Sequence, residues 1–440
     1  MDTNNIYVAL NIGSSEITAM AVQKNEEGQL RILGVETGNS EGVRYGEIIN
    51  PSSASAVVNR LLKLLENRIG RDIGQIYVGL NGRSLKTLKA SNGRQLNSGA
   101  EVTDVLLHEM ISEVKDAKTE QGAIYEVYMQ ETKVDDEIEP SPIGCLCEKI
   151  VANYRVILGK PELKTNIERC IERTGYGLVN TPIQIVTTAD ALLSNIEKEQ
   201  GCVLVDFGAH CTSLAIFHHG YLRYLSVIPL GGKNITKDIT SLELPETIAE
   251  QIKIQFANAI RSTVNPSQRI TIKSEIPGME PKRIPLQTLA MVTEARAGEI
   301  LDLIFVHIQK SGLAGHLGAG IIITGNASKL QNLDALIQQK TQLPVRIGTH
   351  NLHLEDGTNE RFYDIRYSPL IGILLSADMD CAYQEEEKAV ETGKPEKPQK
   401  PAKPPKIKRN NVFNKIGGKV ANSLINLFSE EEESSNENKN

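Results

Sequence analysis

The chain of 440 residues contains no tryptophan, and aromatic residues make up only 4% of it; neither scarcity points to a particular fold or function. The absence of any apolar run long enough to cross a bilayer does exclude a helical membrane span. Six scattered cysteines (145, 147, 170, 202, 211 and 381) offer no metal-ligand spacing beyond one CxC pair, and most read as small buried apolar residues in a reducing cytoplasm. There is no basic excess. Residues 1–383 carry 37 basic and 45 acidic side chains, a balance that argues against nucleic acid as the main partner. Nothing at the N-terminus reads as a signal peptide, because NNIYVALNIG runs straight into a strand.

What is present changes character after Asp380. Residues 384–410 are rich in Lys, Pro and Glu, including KPEKPQKPAKPPK, a composition that predicts a solvated, disordered linker. Such a segment reaches roughly 30 Å as a coil and up to about 80 Å as extended polyproline. Residues 411–428 then read as an amphipathic helix. Val412, Phe413, Ile416, Val420, Leu424, Leu427 and Phe428 fall within an arc of roughly 160°. Lys415 and Lys419 lie on the polar face. Between Lys403 and Phe428 there are six basic residues and no acid. That pattern suits the surface of an anionic membrane, to which each basic residue adds about 1 kcal/mol. A partner's groove or docking on the chain's own body remain the alternatives. Residues 429–440 form an acidic tail.

The body opens twice in the same way. Ile6–Ile12 is an apolar run, followed by Gly13-Ser14-Ser15 and a second strand at Ile17–Gln23. The pattern returns as CVLVDF, then Gly208-Ala209-His210-Cys211-Thr212, then SLAIF. Third strands follow at 30–37 and 221–229. Two strand–turn–strand–strand copies predict a duplicated α/β protein. Turns of small and hydroxyl residues expose backbone N–H groups suited to the phosphates of a nucleotide. A third element, GIIIT followed by Gly325-Asn326-Ala327-Ser328-Lys329, reads as a strand and turn opening a helix, a platform for adenosine. Glu250 and Lys253 lie three residues apart on one helix face, placed to reach ribose hydroxyls and a base edge or simply to pair with each other.

NIGSSE, DFGAHCT and TGNASKL together resemble the phosphate and adenosine turns of the actin-like ATPase superfamily. EGVRYGEIIN, VGLNGRSLKT, VIPLGGKNITKDI, AEQIK, PVRIG and the terminal linker with its helix resemble the FtsA family within it. The likeness covers essentially the whole chain. It implies a two-lobed clamp of the actin-like, ribonuclease H-like α/β fold with ATP between the lobes. It divides the chain into a first lobe of 1–85 and 164–195 (subdomain 1A), an inserted α+β subdomain 1C at 86–163, a second lobe of 196–245 and 319–383 (2A), and subdomain 2B at 246–318. Within the insert, a helix at 103–118 and strands at 123–134 and 148–158 are expected. By the same resemblance the protein is a cell-division adaptor at the cytoplasmic face of the membrane. It polymerises with itself and anchors filaments of the tubulin-like FtsZ, whose C-terminal peptide would dock around 257–296. Other division proteins would bind the insert.

The implied nucleotide residues are Asn11, Gly13, Ser14, Ser15, Asp206, Gly208, Thr212, Glu250, Lys253, Gly325, Asn326 and Lys329. Asp206 would hold Mg2+ through water. The first hairpin offers Asn11 where the superfamily usually has an acid, and His210, read as pointing away, stands where small glycines are usual. No residue near 182–193 is clearly placed to orient an attacking water unless Gln184 or Asp190 does so; the catalytic candidates are therefore Asp206 and Gln184. ATP binding with weak or no hydrolysis is expected. The alternative functions are an ATPase partner of a pilus or secretion assembly, and a chaperone-type ATPase.

Overall fold

The computed structural model describes residues 5–272 and 281–383, together with the backbone of Phe428–Ser429. Two sheets share one plan. The first runs in the order Gly177–Asn180, Gln75–Val78, Tyr7–Ile12, Glu16–Lys24, Leu30–Asn39. The second repeats it with Val345–Ile347, Gly320–Thr324, Cys202–Phe207, Thr212–His218, Tyr221–Ile228. In each, three consecutive strands form an antiparallel meander and two later strands add in parallel beside the first of them. Inner strands covered on both faces must be apolar throughout, which is why YVALNI, CVLVDF and GIIIT are continuous runs rather than alternating ones. The chain is thus a duplicated α/β protein of actin-like plan.

The repetition extends to register. Asn11 pairs with Thr18 and Asp206 with Ser213, each one pair before the last of its hairpin. The two side chains therefore occupy equivalent places on the two sheets.

Helices cover the sheets where the sequence caps them. In Pro51–Ile69, Oδ1 of Asn50 accepts the N–H groups of Ser52 and Ser53, Pro51 opens the first turn, and Gly70 at φ 67° ends the helix in the left-handed conformation. Its apolar face, including Val58, Leu61, Leu62 and Leu65, is buried in the first core. Helices Gln184–Leu192 and Ser368–Ser376 pack closely against one another, and a Cβ on Gly372 would lie 2.2 Å from the carbonyl oxygen of Thr187. Backbone approach at that distance is open only to glycine.

The inserted segment has its own small core. Strands Lys86–Glu101, Ala123–Val134 and Leu146–Gly159 pair antiparallel, and the helix Asp104–Asp116, capped by Thr103, buries Leu107, Met110 and Val114 against Ile150, Ala152 and Tyr154. The expected helix and two strands are found. The long strand Lys86–Glu101 is an addition, because its polar, Gly-containing sequence (KTLKASNGRQLNSGAE) carries little strand signal and is held by its pairing with Leu146–Leu158. This strand also meets the second sheet. Ser226 lies opposite Lys86, and the N–H of Leu225 donates to Thr87 Oγ1 at 3.0 Å, so one ten-stranded sheet joins Cys202–Phe207 and its neighbours to Lys86–Glu101 and its partners.

The expected linker at 384–410, helix residues 411–427 and tail residues 430–440 lie outside the described residues. Phe428, expected to close the helix, instead forms with Ser429 a two-residue antiparallel strand on Ala90 and Lys89. Beyond Lys86 the second sheet no longer covers the edge of Lys86–Glu101, and unpaired backbone groups there accept a further strand.

Substituting Gly372→Ala is expected to destabilise the protein by about 2 kcal/mol or more through overpacking between the two helices. Chemical denaturation of the variant against the parent measures this. An unchanged midpoint would remove the close-approach argument.

Candidate functional site

The turns of the two hairpins face each other across a cavity of about 440 Å³. The first contributes Asn11, Gly13, Ser14, Ser15 and Glu16, the second Asp206, Gly208, Ala209 and His210. Gly13 and Gly208 close their turns alike: the N–H of Gly13 donates to the Glu16 carbonyl at 3.1 Å and that of Gly208 to the Cys211 carbonyl at 2.9 Å. A Cβ at either glycine would lie 2.8 Å from that same carbonyl oxygen. None of the described hydrogen bonds uses the N–H groups of Ser14, Ser15, Ala209 or His210. Two opposed turns with free backbone donors make a pair of anion-binding concavities.

The helix Gly232–Ile239 contributes differently from a simple anion-binding N-terminus. Its first N–H groups, those of Gly232 and Lys233, donate to the carbonyls of Gly208 and Ala209 at 3.0 and 2.8 Å. They brace the second turn instead of pointing at a ligand. A Cβ on Gly231 would come within 2.6 Å of the Gly208 oxygen, so the glycine pair of PLGGKNIT is what lets the helix seat here.

Several buried polar atoms around the cavity have no partner. Asn11 Oδ1, Gln184 Oε1 and His210 Nδ1 line it, and Thr324 Oγ1 ends the strand beside it. A buried unsatisfied group costs about 1–3 kcal/mol, and such a cluster marks a place where a polar ligand completes the hydrogen bonding. Asp206 sits among them. Burial pushes its carboxyl up to about 6. Gly325, at φ 86°, is required beside it, since a Cβ there would lie 2.2 Å from Asp206 Oδ1.

The far wall is formed by Glu250, Lys253 and the exposed apolar Ile254 of the helix Glu246–Phe256. Lys253 Nζ donates to both carboxylate oxygens of Glu250 at 2.9 and 3.0 Å, to Thr236 Oγ1 at 2.9 Å and to the Gly232 carbonyl at 3.1 Å. Burial lowers the Lys253 ammonium against the pull of Glu250. Burial would raise Glu250, but hydrogen bonds from Thr236 and Lys253 outweigh it and hold the carboxyl below its usual range. The two residues expected to reach a sugar thus line the cleft while engaging each other.

Asn326 and Lys329 also line the cleft. Asn326 Nδ2 donates across it to Glu16 Oε1 at 3.2 Å, while Lys329 is paired with Asp364 at 2.6 Å. The turn they occupy is a short 3-10 helix, Asn326–Lys329, and the α-helix begins only at Leu333, because Asn332 at φ 58° breaks the path between them. Three expectations are corrected. Thr212 is fully buried, its Oγ1 donating to the Leu230 carbonyl at 2.9 Å, and it lies outside the cleft lining. Asp190 pairs with Lys198 at 2.6 Å and lies outside the cavity lining, whereas Gln184 is part of it. His210, expected to point away, lines the cleft, and Lys233 joins it there. The glycine pair before Lys233 was the available signal for that helix.

Asp206 also sets a pH dependence. The unfolded carboxyl titrates near 3.8 and the folded one near 6, so the folded protein holds the proton more tightly. Stability of the ligand-free protein therefore falls as pH rises from about 4 to about 6 and the buried charge forms. Asp206→Asn is expected to raise stability at pH 7.5 by about 1–3 kcal/mol and to give little gain at pH 4. Thermal melts at the two pH values test this, and an equal gain at both would sink it.

Comparison with known proteins is consistent with this geometry. Residues 203–372 match the family model described as cell division protein FtsA. The cell division protein FtsA of Pseudomonas aeruginosa is 27% identical over 85% of this chain and 90% of its own length. Among solved structures, a chain of a PilM–PilN type IV pilus biogenesis complex superposes with TM-score 0.56 at 14% identity, covering 84% of this chain and 97% of that one. MreB5 of Spiroplasma citri bound to ADP gives TM-score 0.51 at 14% identity, covering 84% and 95%. The structural likenesses establish the actin-like fold, and along most of its length the chain is similar in sequence to FtsA cell-division proteins.

Proposed function

We propose that the cleft binds a nucleoside triphosphate, ATP, and that the protein is a cell-division adaptor which polymerises and fixes FtsZ filaments to the cytoplasmic membrane. The observation that carries the nucleotide reading is the facing pair of glycine-closed turns with free N–H groups and orphaned polar atoms between them. The ADP held by the MreB5 relative supports a nucleotide as the class of ligand. The family's name supports the division role. In this reading the nucleotide residues are those expected from sequence, with Thr212 acting through the turn it braces.

A divalent cation fits the donor set in one way. Among the described residues no three His, Cys, Asp or Glu side chains converge to hold a metal directly. Asp206, with the orphaned carboxamides of Asn11 and Gln184, would hold hydrated Mg2+ through its waters. The ion would neutralise phosphate charge. Gln184 can orient a water but is not a base, and Asn11 adds no charge to the first hairpin. Slow or absent hydrolysis follows.

The domain division at 86 and 163 is part of the proposal, with the insert offering its surface to neighbouring copies and other division proteins. Among the described residues no helix is long and apolar enough to cross a membrane. The basic amphipathic segment 411–428, with Phe413, Ile416, Val420, Leu424 and Leu427 on its apolar side and Lys415 and Lys419 on its polar side, is proposed as a peripheral anchor on anionic lipid. Weak binding per copy becomes firm on a filament through effective concentration.

Two measurements test these parts separately. Calorimetry with ATP and Mg2+ is expected to show one site per chain; no heat at millimolar nucleotide ends the cleft reading. Deleting 411–428 is expected to cut pelleting with phosphatidylglycerol vesicles at least tenfold while leaving nucleotide binding intact. Undiminished pelleting ends the anchor reading.

A further inference from the structure

His210 is the side chain of the cleft that the nucleotide reading leaves without a task. It stands at the tip of the second turn, where its own backbone N–H is free. Its Nδ1 is buried and has no partner. Its ring packs against Tyr45 of the first lobe, with centroids 5.8 Å apart and planes inclined by 53°. The contact crosses from one lobe to the other.

Tyr45 is held in place at some cost. Its backbone adopts φ 54°, the left-handed region that a bulky residue rarely enters. The neighbouring Gly46 N–H donates to Ser14 Oγ at 2.7 Å, which ties this hairpin to the first phosphate turn. The guanidinium groups of Arg44 and Arg83 lie 5.1 and 4.8 Å from the centre of the Tyr45 ring. Lys233 lines the same part of the cavity. Burial, then the charges of Lys233 and Arg44, lower the imidazole's pKa, with Glu246 opposing them. Cations gathered around an orphaned imidazole nitrogen make a position that an anion would satisfy twice over, in charge and in hydrogen bonding.

We propose that His210 is a specificity-determining contact for the terminal phosphate of a nucleoside triphosphate, and that this phosphate steadies the His210–Tyr45 contact between the lobes. The proposal rests on the nucleotide reading above and sharpens it. A diphosphate can occupy the backbone donors of the turns, but it lacks the group that reaches both hairpins at once. The imidazole therefore separates the two nucleotides where the backbone does not.

The experiment uses the full-length chain with Mg2+ and compares a non-hydrolysable ATP analogue with ADP by calorimetry. His210→Ala is expected to weaken analogue binding about tenfold or more while ADP binding stays within twofold. His210→Gln, which keeps a hydrogen-bonding side chain, recovers most of the analogue affinity. Tyr45→Ala lowers analogue affinity in the same sense, and Tyr45→Phe, which keeps the ring, does not. Circular dichroism melts of each variant establish that it is folded, and His210→Gln serves if His210→Ala is not. Equal losses for both nucleotides would mean a purely structural histidine and overturn the assignment, as would an unchanged preference. A parent chain that binds neither nucleotide overturns the underlying reading and the proposal with it.

Discussion

The cleft depends on positions where no side chain can exist. Gly13 and Gly208 must lack a Cβ for their N–H groups to close onto the carbonyls of Glu16 and Cys211. Gly325 must lack one for its strand to end against Asp206, and Gly231 for the following helix to seat on the second turn. Each of these contacts would fall below 3 Å with even an alanine. Remove the glycines and the hairpins splay, the backbone donors turn aside, and Asp206 loses the enclosure that shifts its carboxyl. Every other property of the site is built on that backbone closure.

The enclosure is costly without a ligand. Asn11, Gln184 and His210 keep buried polar atoms unpaired, and Asp206 carries a charge that burial disfavours. The surrounding cores absorb this strain, since the strands behind the turns are buried on both faces. A cavity that is unfavourable when vacant and well supported from behind is suited to binding tightly with little rearrangement.

The duplicated meander was legible because both copies obey the same physical demand: apolar strands covered on two faces, separated by small turn residues. The insert's helix and two of its strands were legible from periodicity for similar reasons. Its longest strand was not, because Lys86–Glu101 is mostly polar and takes its conformation from pairing rather than from its own residues. At the site, Gly208 and Gly325 were expected from turn chemistry and Asn11 and Asp206 from the family resemblance, and all four line the cleft. Thr212 was misplaced because a threonine after a turn reads the same whether its hydroxyl faces a ligand or, as here, the carbonyl of Leu230. His210 was misread because only the three-dimensional arrangement brings Tyr45, distant in sequence, against its ring. Glu250 and Lys253 admitted two readings; the structure shows them paired with each other in the wall of the cavity.

The strand Lys86–Glu101 joins two parts of the chain. The segment 86–159 continues at both ends into the chain around the first sheet, yet it is also stitched to Tyr221–Ile228 of the second through Ser226, Thr87 and the ion pair of Arg223 with Glu131 at 3.1 Å. A segment attached at two places to two sheets is fixed in direction against both. The exposed apolar residues Ile138, Ile143 and Leu146 ride in the part of the insert remote from the seam.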